Sequence, residues 1–218
     1  MPLAFDRTRV VVAVSALFGV YGEPALAADR AVDPTYGRIE GDVSLVVGAG
    51  AVLAPRAPRA EAQIRIRYLD TAGVFGAYED ATVVGSDSEP RRVVITGLEL
   101  RPLFLARWLS GLETDHARLD MVLDSLGLDL GATFSQPARA GFASRSGLEV
   151  GLGVEIPILA TASGPWIDVH GGLRWSEEAL AIGTVRGADD RYGYLAVTLS
   201  WHQFATIHVV DGGDRAPR

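Results

Sequence analysis

Ser200 and His202 stand two residues apart, as do Asp168 and His170, with Arg174 four further on, and Ser176 precedes Glu177 directly. A serine activated by a histidine that a carboxylate orients is the machinery of acyl transfer. Ser200 or Ser176, His202 or His170, and Glu177 or Asp168 could therefore compose a hydrolytic set. Residues two apart also point the same way on a strand, and alternation alone generates such pairs. The spacing is accordingly read as polar pairs on one strand face, and no catalytic residue is assigned. The chain's 4 histidines are His116, His170, His202 and His208. His170 with Asp168 and Arg174 reads as a hydrogen-bonding group, because a metal ion needs a third donor that this spacing does not supply. No metal or cofactor is expected.

The glycine pairs in Val47, Gly48, Ala49, Gly50 and in Gly151, Leu152, Gly153 lie inside alternating stretches, whereas a phosphate loop joins a strand to a helix. Asp124, Ser125, Leu126 and Gly127 lack the strand-to-helix setting of a nucleophile elbow. Absence of cysteine removes disulfides, thiolate catalysis and cysteine-ligated metal. All 20 basic residues are arginine, a bias that matches the abundance of alanine, glycine and valine in a GC-rich coding style. A net charge of −7 with no basic cluster argues against nucleic acid as a partner.

The elements that must position these side chains begin after a secretory leader. Arg7 and Arg9 form a positive head, Val10 to Val20 an apolar stretch, and Ala25, Leu26 and Ala27 a small-residue cleavage site. Removing 27 of 218 residues leaves 191, enough for one small domain. The expected division is 1–27 leader, 28–210 barrel and 211–218 disordered tail. Although 48% of residues are apolar, no run after the leader approaches the roughly 18 to 20 that a spanning helix needs. Any crossing of a bilayer must then be made by strands.

Period two predicts eight segments: Arg38 to Leu53, Ala60 to Tyr78, Arg92 to Trp108, Ala117 to Ser135, Gly147 to Leu159, Pro165 to Trp175, a short Ala179 to Val185, and Arg191 to Gln203. Pro102 counts against the third unless it marks a bulge. The fourth slips phase at Asp124 and Ser125, which a β-bulge explains; the rival is an amphipathic helix over Glu113 to Leu126. Asp70 breaks the alternation of the second.

One face of these segments is apolar. The other carries Glu40, Asp42, Arg65, Arg67, Glu99, Arg101, Glu149, Glu155, Asp168, His170 and Arg174, interleaved with Gly48, Gly50, Gly151, Gly153 and Gly172. Small residues among charges of both signs suit the crowded inside of a narrow barrel, and buried charges must pair. Aromatics gather near segment ends: Tyr68, Tyr78, Trp108, Trp166, Trp175, Tyr192, Tyr194 and Trp201 are expected at the two membrane interfaces.

On these alternating segments, the charged face and the end-placed aromatics, the chain resembles the small bacterial outer-membrane barrels of the OmpA/OmpX type. The resemblance implies an all-β fold, an eight-stranded antiparallel up-and-down transmembrane β-barrel behind a cleaved signal peptide. It further implies outer-membrane lipid and the barrel-insertion machinery as partners, and a monomer. In such proteins the insertion machinery reads a terminal aromatic, whereas here Trp201 and Phe204 are followed by a run to Arg218. The expected role is non-enzymatic: structural, adhesive or of narrow permeability, with the charges as a plug. The alternatives are a gated pore, an outer-membrane lipid-modifying hydrolase and a soluble periplasmic lipid carrier with an apolar pocket.

Overall fold

The computed structural model describes residues 43–55, 58–81, 90–114, 116–137, 141, 145–180 and 191–205. The leader, Glu40, Asp42, His208 and the tail lie outside them. Eight strands follow in chain order: β1 Val43–Leu53, β2 Pro58–Tyr68, β3 Ala72–Ala81, β4 Pro90–Leu100, β5 Gly127–Pro137, β6 Arg145–Pro157, β7 Gly164–Ser176 and β8 Arg191–Ala205. Helices α1 (Pro102–Ser110) and α2 (Ala117–Asp124) join β4 to β5, and a single turn, α3 (Glu177–Leu180), follows β7. Each strand pairs antiparallel with its sequence neighbour, and β1 closes the ring on β8 from Val43 opposite Ala205 to Leu53 opposite Leu195. The protein is a closed eight-stranded antiparallel barrel.

Eight segments and eight strands agree in number, but two of the assignments differ and offset each other. The predicted Ala60 to Tyr78 segment is two strands. Tyr68 pairs with Ala72 across a three-residue connection, so both residues have the same parity and even positions face outward on each side of the reversal. Alternation therefore runs through the hairpin unbroken. No glycine marks it either: Leu69 and Asp70 take φ of 48° and 50°, a left-handed turn that glycine or asparagine usually supplies. In compensation, the strand expected at Ala179 to Val185 does not form where the chain is described. Residues Glu177–Leu180 are helical, β7 pairs directly with β8 among the described strands, and 181–185 lie outside the described residues.

The third predicted segment ends at Leu100, and Pro102 to Trp108 is helix. Proline suits this place because the first helical residue needs no N–H partner; Gly111, at φ 60°, closes α1. The phase slip at Asp124 and Ser125 is likewise the junction of α2 with β5, not a bulge, so the helical alternative is the observed one. Ser125 finishes the sheet there. β5 stops at Gly127 opposite Gly153, and the Ser125 hydroxyl takes the hydrogen bond of the Glu155 N–H at 2.8 Å and donates to its carbonyl at 2.9 Å.

The two faces of the sheet differ in kind. Outward residues are aliphatic and open, among them Leu98, Leu152 and Leu199 at 62%, 68% and 60% exposure, whereas inward Glu155 and Asp168 are fully buried. Inside, two small apolar clusters, Phe75 with Val93 and Ile95, and Val52 with Tyr194 and Ala196, together with Val46 and Trp166, interrupt a largely polar filling.

Candidate functional site: the ionic lumen

The connections β2–β3, β4–β5 and β6–β7 share one end of the barrel, which carries α1 and α2 and is here the helical end. Just inside it, Arg67 and Arg101 span three carboxylates. Arg67 Nε donates to Glu99 at 2.9 Å and its Nη1 lies 3.7 Å from Asp70, and Arg101 holds Glu99 at 2.9 Å and Asp70 at 3.1 Å. Both arginines also pair with Glu155. Asp70, the residue that broke the period, is thus a turn residue whose side chain folds back into the lumen.

Deeper in, Arg65 pairs with Asp129 at 3.2 Å and Glu99 at 3.1 Å, and its guanidinium lies 5.1 Å from the Phe75 ring centre. His170 Nδ1 sits 3.1 Å from Asp129 Oδ2. The same nitrogen lies 3.3 Å from Arg65 Nη2, so Nδ1 faces both an acceptor and a donor. Asp168 accepts from Gln63 at 2.8 Å, from Thr198 at 3.3 Å and from Ser200 at 2.8 Å. Toward the other end, Arg174 holds Glu79 at 2.6 Å and Glu149 at 2.5 Å, Arg59 holds Glu79 at 3.1 Å, and Tyr194 donates to Glu149 at 2.8 Å.

Of the charged residues singled out in the sequence, Arg65, Arg67, Glu99, Arg101, Glu149, Glu155, Asp168, His170 and Arg174 all face the lumen and are buried. Glu40 and Asp42 lie outside the described residues. The network also includes Arg59, Gln63, Asp70, Glu79 and Asp129, which the sequence reading did not assign. Parity could have found Asp129, since it alternates with outward Leu128 and Leu130; Glu79 was hidden by reading its position as loop.

Three aromatics expected at the interfaces are inside instead. Trp166 is 1% exposed, stacked on His202 at 4.5 Å between ring centres, and its indole N–H donates to Ala162 O at 3.1 Å. Tyr194 lies under Arg174, 4.1 Å from its guanidinium, and Tyr192 lies 5.8 Å from both Arg59 and Arg174. The reason is parity: even positions of β7 and β8 point inward, and position near a strand end does not alter that. Tyr68, Tyr78 and Trp201 are exposed on strands, Trp175 is half-buried, and Trp108 is exposed on α1 rather than on a strand.

The hydrolytic set meets an obstacle of geometry. Ser200 Oγ, Glu155 and Asp168 all crowd His202 Nε2, at 3.1, 3.6 and 3.7 Å. A serine–histidine–acid relay needs nucleophile and acid on opposite ring nitrogens. Ser176 instead accepts from the Ala179 N–H at 3.2 Å, while Glu177 accepts from Ser146 at 2.6 Å. That pair is eight residues along β7 from Asp168, roughly 26 Å at a strand's rise.

Glu155, from β6, lies opposite Asp168 in the ladder, and one donor atom from each of Glu155, Asp168 and His170 falls within 4.8 Å of the others. The third donor that spacing along one strand could not provide comes from the neighbouring strand.

No protein-family model matches the chain, and no curated protein matches it. Among solved structures it is similar to the N-terminal β-barrel domain of Pseudomonas aeruginosa OprF, with 10% identity over 75% of this chain and 99% of that one, TM-score 0.41. It is also similar to Neisserial surface protein A, at 13% identity over 73% and 94% with TM-score 0.35. A third is Ail, the attachment invasion locus protein of Yersinia pestis, solved with the heparin analogue sucrose octasulfate: 13% identity over 74% and 96%, TM-score 0.32.

Proposed function

We propose that this chain spans the outer membrane of a diderm bacterium as a monomeric barrel with a sealed, ion-paired lumen, and that its role is structural or adhesive rather than catalytic or conducting. One observation carries the reading: exposed aliphatic side chains encircle the barrel on every strand while the charged groups turn inward. In water this would be a patch far larger than the few hundred Å² that soluble monomers expose. In lipid it is the expected surface. An 11-residue strand such as β1, tilted at about 40°, spans roughly 25 Å of membrane normal, close to the apolar band of such barrels.

The same inversion opposes a lipid carrier, whose pocket would be apolar. Ion pairs bridging opposite walls oppose a pore, and the crowding on one nitrogen of His202 opposes acyl transfer. On this reading the partners are outer-membrane lipid and the machinery that inserts barrels, reached through the leader, and nucleic acid is not one of them.

The test is fractionation of cells expressing the full chain. The protein should remain in the detergent extract of membranes, migrate faster on a gel unheated than heated, and give no channel currents in planar bilayers. Release by osmotic shock, with migration indifferent to heating, would overturn the membrane assignment; regular conductance steps would overturn the sealed lumen.

A further inference from the structure

Within the lumen the buried charges do not balance. Seven buried carboxylates of the described strands and turns face five buried arginines. Each arginine is already shared among the other six, and Asp168, wholly buried, has no arginine within ion-pair distance among the described residues. Its one potential cation is His202, at 3.7 Å. Beside it stands a second unmatched group. His170 is 94% buried, its exposure being 6%, and Nε2 has no hydrogen-bond partner among the described residues. In the tautomer whose Nδ1 proton faces Asp129, 3.1 Å away, Nε2 offers its lone pair to the lumen. A buried carboxylate with no arginine and a buried imidazole nitrogen with no partner among the described residues call for the same thing.

We propose that Asp168, Glu155 and His170 Nε2 bind a divalent transition-metal ion, of which Zn²⁺ is the best fit. The donors are two carboxylates and an imidazole, a mixture that suits zinc better than the all-oxygen shells of calcium or magnesium. A tetrahedral ion about 2.1 Å from each donor needs them about 3.4 Å apart. The three-residue cluster, within 4.8 Å, closes by at most about 1.4 Å to the same spacing. Arg67 and Arg101 pair with the two oxygens of Glu155; each carboxylate oxygen has a second lone pair, which the ion would use. Asp129, 3.1 Å from His170 Nδ1, stands where the outer carboxylate of a metal-binding histidine stands. Gly153 leaves room for the ring, since a Cβ there would stand 2.3 Å from His170 Nδ1. With all three protein donors buried, the ion would tie β6 to β7. This inference does not depend on where the barrel resides.

To test it, the full chain is refolded from urea into detergent micelles with Zn²⁺ or Co²⁺ present, so that burial does not bar access, and folding of each sample is verified by heat-modifiable migration. The wild type should retain one equivalent of metal after desalting, with Co²⁺ giving the visible absorption of an ion bound to nitrogen and oxygen. His170→Gln should fold and lose the stoichiometric ion. Asp129→Asn, altering only the outer partner, should weaken affinity by about 10- to 100-fold, and His116→Gln, exposed ahead of α2, should change nothing. Folded wild type that retains no metal, or folded His170→Gln that retains as much as wild type, would overturn the proposal.

Discussion

At the scale of single residues, the lumen is a problem of charges that must be matched where water is scarce. Arg101 is 1% exposed and touches Asp70, Glu99 and Glu155. Among the described arginines, Arg101→Ala leaves Asp70 and Glu155 to Arg67, with Glu99 shared between Arg67 and Arg65, and should cost about 3–5 kcal/mol, the usual effect of breaking a buried pair from one side. Arg92, paired with Asp80 at 3.6 Å and about one-third exposed, offers the control: Arg92→Ala should cost no more than about 1 kcal/mol. Urea titration of refolded barrels measures both, and equal losses would contradict a lumen network that supports the fold. Much of this network is legible from parity, since Arg65, Arg67, Glu149, Glu155, Asp168 and Arg174 each sit opposite an apolar face. The pairings are not legible. Arg65 and Asp129 are 64 residues apart, and only closure of the ring brings β2 and β5 within reach across the lumen.

At the scale of elements, inward glycines decide how closely strands approach. A Cβ at Gly50 would stand 2.1 Å from the Val197 carbonyl oxygen, on the backbone of β8, whereas at outward Gly76 it would make ordinary contacts with the Ile64 side chain at 3.6 Å and the Ile95 carbonyl oxygen at 3.8 Å. Gly50→Ala should therefore destabilise the barrel by about 1–3 kcal/mol, the cost of overpacking. Gly76→Ala should be neutral or stabilising by up to about 1 kcal/mol. The comparison is read from urea midpoints, and similar effects at the two positions would refute the crowding argument. Periodicity identified β1, β6 and β8 well because each alternates without interruption. It failed where alternation carries no information: through the Leu69 to Thr71 turn, which preserves parity, and across Leu100 to Pro102 and Asp124 to Gly127, where a helix's apolar stripe adjoins a strand's apolar face.

At the scale of the whole molecule, the sheet is turned inside out relative to a water-soluble barrel. Leu152 sits in the middle of β6 and is 68% exposed. In water, arginine there would be nearly neutral; at the middle of a bilayer it costs about 2–4 kcal/mol. Leu152→Arg should accordingly lower the stability of the barrel refolded into lipid vesicles by that amount, as measured by urea titration. No loss in vesicles would count against a lipid-facing exterior.

The amino-acid order by itself determined the strand period, the apolar and charged faces, and the presence of one closed barrel rather than helical spans, because side chains on a strand alternate whatever the partner strand is. Tertiary structure alone decided where the chain reverses without glycine, which aromatics turn inward, and which charges meet. It alone sets Glu155 beside Asp168 and His170, since that encounter depends on the register between β6 and β7, a property of two strands that neither segment contains.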